Sequence, residues 1–388
     1  MKLILTILVS SAYALLLEHR GAAFSVDTVP LFGPQQFDPT AELSRLWSKY
    51  PSTEHVSRRQ TDLAKQEGSA IVQPIKGSLT SVVPTVIGNQ TFQMIYDTGS
   101  ADLWVYSNES SLNQDPDKTF YIPSSSANLL TNYTWAIKYA GGSSLDGIVY
   151  TDVVKVGLVV AEKQAVESAI NIPFDFPSDG IMGLAFGIIN QVKPVKQTTF
   201  FETVAPTLRR KVFAANLKAE GNGTWDFGYI DKSKYTGEIT YTPVVGNQKH
   251  WTIALQEYAV GNNSFGSAKV GEVILDSGTS LVYLPESVVA DYYSKVPGYV
   301  KTLGGTHSFP CNNTIPDLHF KIESRVFSLP GRVINYAVID PTRNICAGAL
   351  DSNLNMRYAI LGSLFMQNYY VIHSQEESMP RVGLAPQS

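Results

Sequence analysis

Along most of the chain, apolar and polar positions alternate in short runs broken by Gly, Asn, Asp and Ser. A period of two is the signature of half-buried strands. TVIGNQTFQMIYD at 85–97 alternates around Gly88-Asn89 and predicts a hairpin. YTWAIKYAGGSSLDGIVYTDVV at 133–154 predicts another, with a Gly-Gly-Ser-Ser tip. Helical spacing is rare after residue 60, and its best cases are VVADYYSKV (288–296) and the region of FETVAPTLRR (201–210). The pattern predicts a mostly β protein in two lobes, with the seam near 240–245.

Two of the apolar runs end alike. IYDTGSADLWV (95–105) and VILDSGTSLVYL (273–284) each place Asp, a hydroxyl residue, Gly and a second hydroxyl residue after a buried stretch. Ile-Met-Gly follows the first at 181–183, and Ile-Leu-Gly follows the second at 360–362. Asp97 to Gly183 is 183 − 97 = 86 positions, and Asp276 to Gly362 is 362 − 276 = 86. A phenylalanine follows three residues later in both, Phe186 and Phe365. Two copies at equal spacing describe two half-molecules of one design rather than a repeat array.

A charge at the end of a buried strand is expensive alone. A lone Asp-hydroxyl-Gly triplet is most simply a capped turn. Two such aspartates face to face cannot both ionise cheaply, so they share a proton and serve as acid and base together. Asp97 and Asp276 are therefore the candidate catalytic pair, with a water as nucleophile and neither metal nor cofactor. Gly99 and Gly278 would let the backbone turn its N–H groups toward the carboxylates, and Thr98 and Ser277 would hydrogen-bond across the pair.

On these motifs the sequence resembles the pepsin-like aspartic proteases, in particular the secreted fungal penicillopepsin and aspergillopepsin type, from about Gly68 to Gly383. GSAIVQP (68–74), VKPVKQTTFF (192–201), DFGYIDKSKYTGEITY (226–241) and INYAVID (334–340) carry the likeness as well. The resemblance implies a bilobal pepsin-like fold of two related β lobes with the active cleft between them. It implies an acid endopeptidase, monomeric and blocked by pepstatin-type inhibitors. The 133–154 hairpin would be a flap, with Tyr139 as its tyrosine, Trp104 as that tyrosine's hydrogen-bond partner, and Gly141, Gly142 and Ser143 against substrate. Ser100 matches the serine beside the first aspartate, and Thr279 a residue touching the substrate backbone. Two positions depart from the family. Ala140-Gly141 stand where close relatives carry Gly-Asp, which predicts loss of lysine tolerance and a preference for large hydrophobic residues flanking the scissile bond. Ser363 stands where most relatives carry Asp after Ile-Leu-Gly. A pepsin-fold binding protein is the alternative, but such descendants usually lose an aspartate, its glycine or the flap tyrosine, and all are present here.

Composition and charge narrow the picture. The 388 residues suffice for two domains of ordinary size, and charged residues make up only 16 %. Net charge is −4 with no basic run among aromatics, which argues against nucleic acid. There is no His-Glu-X-X-His, Cys-X-X-Cys or Gly-X-Ser-X-Gly, so zinc and serine hydrolase chemistry lack support. Residues 1–14 read as a signal peptide and 15–59 as a propeptide ending at Arg58-Arg59, with trimming toward Lys65 or Gly68 as the alternative. In the family a propeptide lysine sits between the aspartates, and Lys49 is the candidate, a solvated helix end being the plainer reading. Lobes at 60–244 and 245–388 follow, with no membrane segment and a destination outside the cell. In that setting Cys311 and Cys346 read as one disulfide within the second lobe, two free buried thiols being the alternative. Sequons begin at Asn89, Asn108, Asn132, Asn222, Asn262 and Asn312.

Overall fold

The computed structural model describes residues 65–74, 81–110, 117–138, 144–172, 176–219, 222–266, 270–303, 305–353, 356 and 358–388. The signal peptide, the propeptide with Lys49, and the flap residues Tyr139, Gly141, Gly142 and Ser143 lie outside them.

The protein is mostly β, as the alternation predicts. Each half is built on the same three-strand device. In the first, Gln90–Asp97 runs parallel to Gly180–Gly183, with Asp97 opposite Gly183, and Leu103–Tyr106 flanks Gly180–Gly183 on its other side, antiparallel. In the second, Gly271–Leu275 runs parallel to Ala359–Leu361, and Val282–Leu284 lies antiparallel on the far side. Parallel neighbours need a long crossover between them. The shared 86-residue spacing is therefore the length of chain that leaves the aspartate turn, builds most of a lobe and returns beside it.

Both predicted hairpins form. Ser81–Ile87 pairs with Gln90–Asp97 around Gly88, whose φ of 57° is the left-handed conformation a tight turn asks of glycine. Asn128–Lys138 pairs with Ser144–Val156 as far as Lys138 opposite Ser144. Predicted helix 201–210 is short: Thr199 and Glu202 form a capping box, the helix spans Phe200–Val204, and turns follow. Pro206 has no N–H to continue it. Glu286–Tyr293 forms the other predicted helix and buries Val288, Val289, Tyr292 and Tyr293. No helix among the described residues is long and apolar enough to cross a membrane.

The two halves are not separate beads. Tyr369–Ser374 and Arg381–Pro386, late in the chain, pair with Val212–Asn216 and Thr240–Pro243 and so extend the sheet that also holds Gly68–Pro74. Phe213, Trp225, Trp251 and Phe201 pack beneath this shared sheet. Cys311 and Cys346 are bonded, closing a separation of 35 residues between neighbouring chain segments. All six sequon asparagines are exposed.

Candidate active site

The two aspartate turns meet at the middle of the molecule. Asp97 and Asp276 are almost fully buried, at 7 % and 8 % exposure. The turns interlock symmetrically. Thr98 donates its hydroxyl to the Leu275 carbonyl at 2.7 Å and accepts from the Ser277 N–H at 2.9 Å. Ser277 returns the arrangement, donating to the Tyr96 carbonyl at 2.7 Å and accepting from the Thr98 N–H at 3.0 Å. Four hydrogen bonds thus cross between the halves with no charge involved, in a buried setting where each is protected from water.

Within each turn the carboxyl is held the same way. Asp97 Oδ1 accepts from Gly99 N at 2.8 Å, and its Oδ2 accepts from the Ser100 hydroxyl. Asp276 Oδ1 accepts from Gly278 N at 2.9 Å and Thr279 N at 3.2 Å, and its Oδ2 from the Thr279 hydroxyl at 2.6 Å. The Thr279 side chain, matched by resemblance to a substrate contact, is here the counterpart of Ser100.

The glycines do something other than turn sharply. Neither adopts a left-handed φ. A Cβ on Gly99 would lie 2.6 Å from all three atoms of the Asp276 carboxyl group, and one on Gly278 would lie 2.5 Å from Asp97 Cγ. Each glycine therefore makes room for the other turn's aspartate, and only a missing side chain allows the carboxyls to face each other. Burial pushes the Asp276 carboxyl well above the ordinary range, and the negative charge of Asp97 pushes it further in the same direction. One proton on the pair is the stable state well above the usual carboxylate range.

Around this pair, Trp104 is fully buried against Tyr106, Trp135 and Phe176. Ser363 takes its backbone N–H to the Thr279 carbonyl at 2.7 Å. It lines a small cavity of about 20 Å³ with Ser81, Tyr96, Ser277, Gly278 and Ser280. That is room for one water beside several hydroxyls.

Sequence reasoning missed a second pair of buried acids behind the first turn. Asp102 and Glu167, both within 2 % exposure, accept hydrogen bonds from the same Asn190 amide at 3.1 and 3.0 Å. The available signal was an acid inside each of two otherwise apolar stretches, ADLWV and QAVESAI.

The sequence matches one family model over most of its length, that of the eukaryotic aspartyl proteases, at residues 84–387. The chain belongs to the eukaryotic aspartyl protease family. Members are hydrolases acting on peptide bonds. The chain is 42 % identical over 330 residues to aspergillopepsin-1 of Aspergillus fumigatus, covering 84 % of this chain and 83 % of that one. It is 38 % identical over 369 residues to penicillopepsin-3 of Penicillium janthinellum, covering 94 % and 92 %. It is 41 % identical over 308 residues to aspartic protease pepA of Leptosphaeria maculans, covering 78 % and 75 %.

Proposed function

We propose that the protein is a secreted aspartic endopeptidase, made as a zymogen, that cuts internal peptide bonds at acidic pH. The observation that carries this is the approach of two buried carboxyls across glycines that leave them space. Asp97, as the charged partner, takes a proton from a water held between the carboxyls. The water oxygen attacks the scissile carbonyl carbon while Asp276 gives its proton to the carbonyl oxygen. The tetrahedral diol then collapses as a proton passes to the departing amine, and the pair returns to one shared proton. The hydroxyls of Ser100 and Thr279 and the N–H groups of Gly99 and Gly278 hold the carboxyls in place before substrate arrives.

In this reading residues 1–14 are a signal peptide, 15–59 a propeptide cleaved at Arg58-Arg59, and Lys49 the cation that occupies the pair in the zymogen. Residues 60–244 and 245–388 are its two lobes, and the six exposed sequon asparagines are the candidates for glycosylation, several of them occupied. The flap around Tyr139 closes on substrate and excludes water, with Trp104 behind it and Gly141, Gly142 and Ser143 against the peptide. Gly141 brings no carboxylate to the cleft, which favours large apolar side chains beside the cut.

The test is cleavage of denatured haemoglobin by the secreted protein between about pH 2 and 7, with and without pepstatin, whose central hydroxyl takes the place of the water. Acid activity that pepstatin blocks, and that Asp97→Asn and Asp276→Asn each abolish, is expected. Activity that survives either substitution would refute the mechanism, and no cleavage after propeptide removal would favour a binding protein.

A further inference from the structure

We propose that Glu167, Asn190 and Asp102 form a clamp that positions the first catalytic turn, and that the clamp holds only while Glu167 keeps its proton. This rests on the protease reading of the site and adds to it the positioning residues that set its upper pH limit.

The turn from Asp97 to Asp102 is sewn to the return strand and the loop after it. Leu184 N donates to the Asp97 carbonyl at 2.7 Å, Ala185 N to the Ser100 carbonyl at 2.9 Å, and Gly183 N to the Asp102 carbonyl at 2.8 Å. Asn190 adds the side-chain link. Its Nδ2 lies 3.2 Å from the Ala101 carbonyl, 3.1 Å from Asp102 Oδ1 and 3.0 Å from Glu167 Oε1, so one amide group serves three acceptors. The amide cannot turn away, because its Oδ1 accepts from Val192 N at 3.1 Å and Gln197 N at 2.9 Å. Asp102 Oδ1 also accepts from Trp135 Nε1 at 3.0 Å and Gln191 N at 2.8 Å.

Glu167 is the weak point. It lies in the strand Val159–Asn171 beside Trp104 and is 1 % exposed, and its Oε2 is buried with no hydrogen-bond partner. A buried ionised oxygen without a donor is among the costliest groups a core can hold. Burial holds the Glu167 carboxyl far above the ordinary range, and the charge of Asp102 adds to this. The Asn190 amide opposes it, and the Leu103 N–H does so weakly, without reaching hydrogen-bonding geometry. Asp102 is raised to about 6 by burial, with the Gln191 N–H, the Trp135 indole and the Lys196 ammonium opposing, and the Asp97 charge adding to the rise. The charges acting on the clamp are therefore Asp97, Lys196 and the two acids themselves. At acidic pH both acids are neutral and share one amide donor comfortably. Toward neutrality they become two anions near a third, Asp97, opposed by the single ammonium of Lys196, which donates to the Asn190 carbonyl at 2.7 Å.

Glu167→Gln separates a positioning role from simple packing, because it keeps the shape and the Oε1 acceptor but cannot ionise. Because burial holds the Glu167 carboxyl above its ordinary value, its ionisation favours release of the clamp increasingly as pH rises from the acid range toward neutrality. We expect the variant to match the wild type within about twofold in kcat/KM at pH 4, and to unfold at pH 6.5 at least several-fold more slowly by tryptophan fluorescence. Asn190→Ala removes the bridge and should lower kcat at pH 4 several-fold with KM little changed. Glu167→Gln unfolding at the wild-type rate at pH 6.5, or shifting equally at pH 4 and 6.5, would overturn the proposal. The fluorescence experiment needs no turnover. A wild type without pepstatin-sensitive cleavage at any pH would therefore sink the protease reading while leaving the titration of the clamp measurable.

Discussion

His373→Phe should make the protein markedly more resistant to acid while leaving it almost unchanged near neutrality. His373 lies in the shared sheet, in the strand Tyr369–Ser374, and is fully buried. Its ring stacks on Phe213 at 4.3 Å between centroids and meets Trp251 edge-on at 4.9 Å. Neither ring nitrogen has a hydrogen-bond partner. Burial lowers its pKa from 6.5 to about 3; the nearby Phe213 backbone opposes this slightly without forming a hydrogen bond. The folded state thus binds this proton later than the unfolded chain does. Titration of His373 costs nothing above pH 6.5, and stability is lost progressively as pH falls from 6.5 to about 3. At about 1.4 kcal/mol per pH unit, this is roughly 3 kcal/mol by pH 4.5 and about 4 kcal/mol at pH 3. Phenylalanine keeps the ring stack and cannot titrate. The assay is urea denaturation at pH 3, 4.5 and 6.5 in an Asp97→Asn background, which prevents self-digestion. The Phe and His proteins should agree within about 1 kcal/mol at pH 6.5 and diverge steadily below it. A difference that does not depend on pH would refute the reasoning.

Gly99→Ala and Gly278→Ala should each abolish cleavage of a peptide substrate, since the added methyl must displace the opposite carboxyl by several tenths of an ångström or more; activity above about 1 % of wild type would refute the space argument. Replacing both Cys311 and Cys346 by serine should cost about 3 to 4 kcal/mol by the loop-entropy account of a 35-residue closure, read as a lower denaturation midpoint, and an unchanged midpoint would count against it. Lys234→Met removes the ammonium from Asp226, which is fully buried and takes Lys234 Nζ at 2.7 and 2.8 Å alongside the hydroxyls of Tyr370 at 2.9 Å, Ser69 at 2.7 Å and Tyr229 at 3.3 Å. Removing one partner of such a pair should cost about 3 to 5 kcal/mol at pH 6, and the loss should vanish in the double variant Lys234→Met/Asp226→Asn.

What the sequence discloses and what it hides follow from how each feature is encoded. The candidate pair is legible because the fold was duplicated: equal spacing survives in the sequence, and parallel pairing of the aspartate strand with its return strand makes that spacing a structural length. The hydroxyls of Thr98 and Ser277 were legible as cross-links for the same reason. The purpose of Gly99 and Gly278 was not, because a glycine in a sequence suggests backbone freedom, whereas these two are empty space for a group from the other half of the chain, the aspartates being 276 − 97 = 179 positions apart. Nor was the return of the last hairpin to Val212–Asn216 visible, since the alternation that marks a strand does not say which partner it takes. Glu167 and Asp102 were overlooked because each is a single acid in an apolar run, and only the fold brings them to one amide.

Taken together, the buried titratable groups press the molecule toward a bounded pH range from opposite sides. Asp276, Glu167, Asp102 and Asp179 are all raised, first by burial. Their contribution is whole below the ordinary carboxylate values near about 4 and is lost as pH rises toward neutrality. His373 acts in the other direction and is lowered, so its penalty grows below 6.5 and is complete only near about 3. The acids sit in the two aspartate turns and the framework of the first lobe, while His373 sits in the sheet that joins the halves. Acid should therefore loosen the joint between the halves first, and a rise toward neutrality the first aspartate turn. His373 does not act alone at the acid end: burial also lowers His250, and, against the effect of burial, hydrogen bonds from Ser126 and Ser124 hold the Asp152 carboxyl below its ordinary value, so its stabilising contribution too is lost as pH falls.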